Sequence, residues 1–352
     1  MSLQSGVMIS IFLIVLFCLV ATVAVSWLAI PFTRRIGLID WPRSAAHKQH
    51  LAPTPLAGGI VILLVVYFAS WMFGALANPQ LRALLVSSLV VFVFGLLDDF
   101  LNMRPGIKLV GQVGAAALLA VLGVQVQFFA SPDFFIQLPT GLVSVLNLLV
   151  TVFWMVSLAN AFNFVDSMDG LAVGLGGVAA TYFTLVSLET PQPDFSRQAA
   201  ILVGICLGLY FFNTSPALLF LGDSGSQTLG FLLGGLAIIY LPGSSYQLSS
   251  WLMPVMVLSV PLFDTGMVIL SRLRRKKPVY LAARDHTYHR LIAWGVLPGR
   301  AVLIMHGAAL TLGGLGFICL NLPPLPANAI FAAAILTGVW LYLVMDDPKR
   351  WP

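Results

Sequence analysis

Four short polar clusters interrupt an otherwise apolar chain, and their residue types suit phosphate chemistry. They are Gly95-Leu-Leu-Asp98-Asp99, Asn160-Ala-Phe-Asn163-Phe-Val-Asp166-Ser-Met-Asp169-Gly170, Asn213-Thr-Ser-Pro216 leading to Phe220-Leu-Gly222-Asp223-Ser-Gly225-Ser226, and Arg284-Asp285-His286-Thr-Tyr288-His289-Arg290. Carboxylates gathered in one place repel one another unless a cation joins them. Asp, Asn and water are hard oxygen ligands suited to Mg²⁺, which takes one or two carboxylates and completes its shell with substrate phosphates. In Gly-Asp-Ser-Gly-Ser the small residues allow backbone N–H groups to approach a phosphate at a helix start. Asn163, Asp166 and Asp169 are spaced by three and share a face if a helix persists through them. Asp98 and Asp99 point about 100° apart on a helix, so they should have different partners.

Plainer roles compete for the same residues. Asp166, Asp169 and Asp223 each precede an apolar run and could each be a helix N-cap; the whole set on one side, with Asp98 and Asp99, is poorly explained that way. On the residues alone, His286 and His289 read as a solvated loop pair, and His306 as a packed, hydrogen-bonded side chain. The run Arg272-Leu-Arg274-Arg275-Lys276-Lys277 reads as an anchor at anionic lipids. Asp264 lies late in an apolar segment, where serving the site and packing helices are equally good readings.

The elements that must position these clusters are membrane spans. Of 352 residues 59% are hydrophobic and 9% charged, with mean hydropathy +0.96. A soluble domain carries roughly 25% charged residues. Eleven apolar runs are long enough to suggest crossings: 7–31, 57–77, 82–97, 108–125, 142–159, 171–188, 198–213, 226–241, 248–271, 301–320 and 326–345. The expected fold is all-α, one transmembrane domain over 1–352 with its active site on cytoplasmic loops. The first run is expected to be a span, not a signal peptide. Asn321-Leu-Pro-Pro324 marks the last turn. Alternating sides places every Lys and Arg except Arg82 and Arg197 on one face, which the positive-inside rule makes cytoplasmic. The N-terminus is then outside and the C-terminus inside. This pattern accounts for the +5 net charge without a nucleic-acid partner. All acids but Asp133, Glu189 and Asp194 fall on that same face, which the positive-inside rule does not require. Cys18, Cys206 and Cys319 lie in apolar runs and form no disulfide framework. The Gly-x-x-x-Gly pairs 170/174, 204/208 and 230/234 indicate close helix packing.

At these clusters the chain resembles the polyprenyl-phosphate N-acetylhexosamine-1-phosphate transferases, in order from Gly37-Leu-Ile-Asp40 to His286-Thr-Tyr-His289-Arg-Leu. The resemblance implies transfer of a sugar-1-phosphate from a UDP-sugar to a polyprenyl phosphate at the inner face of the cell membrane. UMP would be released, with Mg²⁺ as cofactor and Mn²⁺ an alternative. It implies Asp223 as principal metal ligand and places Asp98 and Asp99 by the lipid phosphate. Asn163 and Asp166 would line the metal-diphosphate site. Asp169 and Phe220 would hold the uracil. Asn213 falls in the substrate-binding set, and Lys48 and His50, before Pro55-Leu-Ala-Gly58-Gly59, would meet nucleotide or phosphates. His286 and His289 join the catalytic set by binding or orienting the diphosphate, partly protonated given a histidine pKa of about 6.5. The family also implies a homodimer. The His-x-x-His-Arg-Leu ending is closer to the bacterial N-acetylglucosamine-1-phosphate branch than to the muramoyl-pentapeptide branch. Two positions depart from the family pattern: Tyr288 stands where a middle histidine is usual, and Ser167 where glycine is usual.

A secondary transporter is the rival from another class. It would place ionisable groups or broken helices near the bilayer midplane, whereas these carboxylates sit at span ends, Asp264 excepted.

Overall fold

Hydrocarbon offers the backbone no hydrogen-bond partner, so a chain this apolar satisfies its peptide groups internally, as helix. The structure, a computed structural model, describes residues 2–42, 52–129, 138–188, 192–241, 252–279 and 284–347. The long helices are α1 (Ser2–Arg35), α2 (Gly58–Met72), α3 (Pro79–Leu101), α4 (Pro105–Val121), α5 (Thr140–Val165), α6 (Leu171–Leu188), α7 (Pro193–Asn213) and α8 (Gly222–Ile239). There follow α9 (Leu252–Val257), α10 (Ser259–Arg274), α11 (Thr287–Ala293), α12 (Pro298–Cys319) and α13 (Pro324–Met345). Each of the eleven apolar runs falls on one of these helices, or on the pair α9 and α10. Seven helices among the described residues are long and apolar enough to cross a membrane, and α2 and α4 are shorter apolar helices. The chain is a multi-pass, helical membrane protein.

Local chemistry sets the helix ends. Pro79, Pro105, Pro193, Pro298 and Pro324 stand at helix starts, where a missing N–H costs nothing. Asn78 caps α3, its side chain accepting from the N–H groups of Gln80 at 2.9 Å and Leu81 at 3.4 Å. The ninth run is two helices because Pro261 has no N–H for the carbonyl of Val257 and its ring crowds that turn. One departure from an all-helical chain is a two-residue antiparallel pairing, with Ile39 opposite Pro55 and Asp40 opposite Thr54.

Helix α8 is central, packed against α2, α3 and α5, and almost wholly buried. Its glycines permit that approach: a Cβ on Gly230 would lie 2.9 Å from Phe162 Cβ. Gly208 does the same for α7 against α1, where a Cβ would lie 2.6 Å from Thr22 Cβ. The three cysteines are free and buried, as their apolar settings suggested. The bonds described below join the C-terminal ends of α3, α5, α10 and α13 to the N-terminal ends of α4, α8 and α11. All the polar clusters therefore meet at one face of the helical bundle.

Candidate active site

The start of α8 is built by two other segments. Residues 54–59, from the short strand into the first turn of α2, run beside Phe220 and Leu221: Phe220 N–H donates to Pro55 O at 2.9 Å, Gly58 N–H to Phe220 O at 3.0 Å, and Gly59 N–H to Leu221 O at 3.1 Å. A Cβ on Gly58 would come within 2.7 Å of Leu221 Cα, so this approach needs glycine. Asp99 then caps the helix from α3. Its Oδ1 accepts from Asp223 N–H at 2.7 Å, and its Oδ2 accepts from Ser224 N–H at 3.1 Å and Ser224 Oγ–H at 2.6 Å. Gly222 turns the chain at φ +71°, and a Cβ there would sit 2.7 Å from Asp99 Oδ2. Asp223 is therefore not the cap. The cap comes from Asp99, across the bundle, and frees the Asp223 carboxylate to face the site.

Asp223 faces a cation and an amide. Lys108, on α4, bridges Asp223 Oδ2 and Asp98 Oδ2, the latter at 2.7 Å. Asn163 Nδ2, on α5, donates to Asp223 Oδ1 at 2.6 Å and to Ser226 Oγ at 3.0 Å. Asp98 also accepts the Met103 N–H at 2.7 Å, which fixes the turn after α3. Along the sequence Lys108 reads only as one of the basic residues that flank the spans. Its one local signal was its place three residues into an apolar helix, close to the paired aspartates.

Helix α5 ends at Val165, so Asn163, Asp166 and Asp169 do not share one helical face. Asp166 is the C-cap, and the chain turns at Gly170 with φ +78°. Burial pushes the Asp166 carboxyl well above the usual carboxylate range, with the charges of Asp223, Asp99 and Asp169 adding to it. Asn213 is 2% exposed and its amide is spent on backbone, accepting from Gly170 N–H at 3.1 Å and donating to Leu219 O at 3.1 Å. It thereby ties the residue after Asp169 to the residue before Phe220. Lys48 and His50 lie outside the described residues.

The histidine loop is held from α10. Asp264, fully buried, accepts Thr287 N–H at 2.6 Å and lies 2.8 Å from His286 Nδ1. Asp264 thereby orients the His286 ring and caps α11. The His286 ring stacks on Tyr288, and His289 lies against Tyr288 with centroids 4.3 Å apart. Burial lowers the His289 pKa to about 4, with His286 and Arg284 adding to the effect. His289 is thus neutral at pH 7 rather than partly protonated. The Tyr288 hydroxyl contacts Ser167 Oγ. The two departures from the family pattern are in contact, joining the histidine loop to the loop of Asp166 and Asp169.

The basic run is not simply a lipid anchor. Arg272 is 4% exposed and forks onto Asp285 at 2.8 and 2.9 Å. Burial would raise the Asp285 pKa, but Arg272 outweighs it and the net shift is downward. Arg290, fully buried, reaches Asp285 O, Met345 O, Asp346 Oδ1 and Ser271 Oγ, locking the loop to the end of α13. Lys276 and Lys277 remain exposed. His306 is packed as expected, its Nε2 3.2 Å from Leu171 O.

Residues 81–241, which carry three of the four clusters, match glycosyl transferase family 4. The decaprenyl-phosphate N-acetylglucosaminephosphotransferase of Mycolicibacterium smegmatis is 31% identical over 304 residues, covering 77% of this chain and 73% of that protein. The chain belongs to glycosyl transferase family 4. A protein of Bacillus subtilis named a probable undecaprenyl-phosphate N-acetylglucosaminyl 1-phosphate transferase is 29% identical to this family 4 chain over 272 residues, 77% of this chain and 74% of its own length. The phospho-N-acetylmuramoyl-pentapeptide-transferase of Shouchella clausii is 29% identical over 78% of this chain and 87% of its own length. Both branches foreseen from the sequence are thus represented among the relatives of this family 4 enzyme.

Proposed function

We propose that this family 4 enzyme transfers N-acetylhexosamine-1-phosphate, with N-acetylglucosamine as the sugar, from a UDP-sugar to a polyprenyl phosphate at the cytoplasmic face of the cell membrane. The observation that carries this reading is the convergence of Asp98, Lys108, Asn163 and Asp223 from four helices at one end of the bundle. In the reaction a lipid-phosphate oxygen bonds to the sugar-linked phosphorus. The bond from that phosphorus to the bridging oxygen breaks, and UMP leaves with the electron pair. A phosphate monoester is mostly dianionic at pH 7, with a second pKa of about 6, so it needs little help from a base. Its obstacle is repulsion by the diphosphate, which positioning and nearby cations reduce.

Among the described residues no group of three or more His, Cys, Asp or Glu is arranged to hold a metal. The Asp223 carboxylate and the Asn163 amide, in contact at 2.6 Å, offer the hard oxygen donors that suit Mg²⁺, which is bound by one or two carboxylates and completed by substrate phosphates and water. Asp223 would hold it, with Asn163 and Asp166 beside it, and when bound it would neutralise charge developing on the diphosphate oxygens. Lys108 neutralises the same region from α4. With Asp99 spent on the α8 cap, Asp98 is the carboxylate left to orient the acceptor or take a residual proton. Asp169 and Phe220 would grip the uracil, placed by Asn213. Neutral His289, with His286 oriented by Asp264, would hydrogen-bond the diphosphate.

Purified enzyme in detergent, offered polyprenyl phosphate and a panel of UDP-sugars, tests this directly. UMP release with UDP-N-acetylglucosamine supports the reading. Release confined to UDP-N-acetylmuramoyl-pentapeptide would assign the chain to the other branch, which the Shouchella relative represents. A transporter releases UMP from neither.

A further inference from the structure

Lys108, Asn163 and Asp223 stand on three helices, and beneath each, one turn deeper in the bundle, is an amide. Gln112 follows Lys108 by four residues, Gln227 follows Asp223 by four, and Asn160 precedes Asn163 by three. Gln112 bonds to both of the other amides. Gln112 Nε2 donates to Gln227 Oε1 at 2.9 Å, and Asn160 Nδ2 donates to Gln112 Oε1 at 2.6 Å. A longer contact of 3.4 Å runs from Gln112 Nε2 back to Asn160 Oδ1. Asn160 Nδ2 also donates to Val156 O at 2.8 Å. Gln112 and Gln227 are 2% and 1% exposed, and Asn160 is half-buried.

Interhelical amide bonds add little to the stability of a membrane bundle, because alternative partners exist when the helices separate. Apolar side chains of similar shape would pack these helices as well. Gln227 Nε2 is moreover buried without a hydrogen bond among the described residues, which makes the cluster a poor choice for stability alone. What it does supply is register. A slip of one residue moves a side chain about 1.5 Å along the axis and 100° around it. Such a slip would carry Lys108 or Asp223 out of reach of its partner.

We infer that Gln112, Asn160 and Gln227 form a positioning layer that sets the register of α4, α5 and α8, and thereby the placement of Lys108, Asn163 and Asp223 for sugar-phosphate transfer. The inference rests on the transferase reading. None of the three amides touches the reacting groups, so their effect is on turnover more than on donor binding.

The test compares wild type with Gln112→Met, Asn160→Leu and the double variant by UMP release and thermal melting in detergent. Each single variant should lower kcat by about 10- to 100-fold, the scale of a misplacement near 1 Å, with the donor KM and melting temperature little changed. The double variant should be no worse than the poorer single, since the layer acts as one unit. Gln112→Asn should lose activity, and Gln112→Asn with Asn160→Gln, which restores the combined length, should recover it. Unchanged kcat, losses that multiply, or a kcat that falls only in step with melting would overturn the layer. If wild type releases no UMP from any donor, the transferase reading falls first and takes the layer with it.

Discussion

Asp99 and Ser224 are joined twice, the carboxylate Oδ2 accepting both the N–H at 3.1 Å and the hydroxyl at 2.6 Å. This pairing hangs the first turn of α8 on the last turn of α3. It separates two adjacent aspartates that sequence alone presents as equals. Asp99→Ala should destabilise the fold by about 1–2 kcal/mol, the usual cost of losing a cap, and lower activity with it. Asp98→Asn should lose turnover with little change in melting. Equal melting of Asp99→Ala and wild type would remove the capping role.

Lys108 sits between Asp98 and Asp223 as a fixed cation. Lys108→Met should lower kcat by about 10²–10³, the cost of deleting one preorganised charge-stabilising group. Asp223→Asn should abolish turnover and its Mg²⁺ dependence while the protein stays folded. A variant at Asp223 with normal rate and normal metal dependence would leave that residue without a role in the chemistry.

His289 titrates near 4 when folded, against 6.5 ordinarily, because burial disfavours its charged form. Between those values the unfolded chain binds more protons, so stability rises with pH across the window. The contribution is complete above about pH 6.5 and is lost as pH falls through 4. Melting temperature should therefore slope downward from pH 6.5 to 4 in wild type and more shallowly in His289→Gln. Parallel slopes would exclude His289 as the titrating group.

The Ser167 and Tyr288 hydroxyls link the Asp166 loop to the histidine loop. Tyr288→Phe keeps the ring against His286 and His289 and removes only the hydroxyl. It and Ser167→Ala should each lower kcat/KM, with a coupling energy of about 1 kcal/mol, typical of one hydrogen bond. Strict additivity in the double variant would mean that the contact has no functional weight.

The one-sided basic residues predict that the face carrying the polar clusters is cytoplasmic. In a chain free of Cys18, Cys206 and Cys319, single cysteines at the exposed positions Gln80 and Arg300 should label from opposite sides of intact vesicles. Labelling from the same side would discard the eleven-span map.

The sequence by itself determined the helical membrane fold, because an apolar run of about 20 residues can satisfy its backbone in hydrocarbon only as a helix. It also brought the four clusters to helix ends, since charge avoids the midplane. Tertiary structure alone decided the division of labour among those residues. Asp98 and Asp99 share a neighbourhood in sequence, yet one meets Lys108 and the other caps α8. Their directions matter only relative to α8, which approaches because Gly58, Gly95 and Gly222 leave no Cβ in the way. Helical periodicity could have run on through Asp166 and Asp169, but α5 stops at Val165 and Asn213 pulls the following turn toward Leu219. In sequence Lys108 reads as one more flanking cation, Asp264 is open between serving the site and packing helices, and Arg290 reads as part of a loop. Each takes its role from a partner brought to it by helix packing, and spacing along the chain carries no record of such a partner.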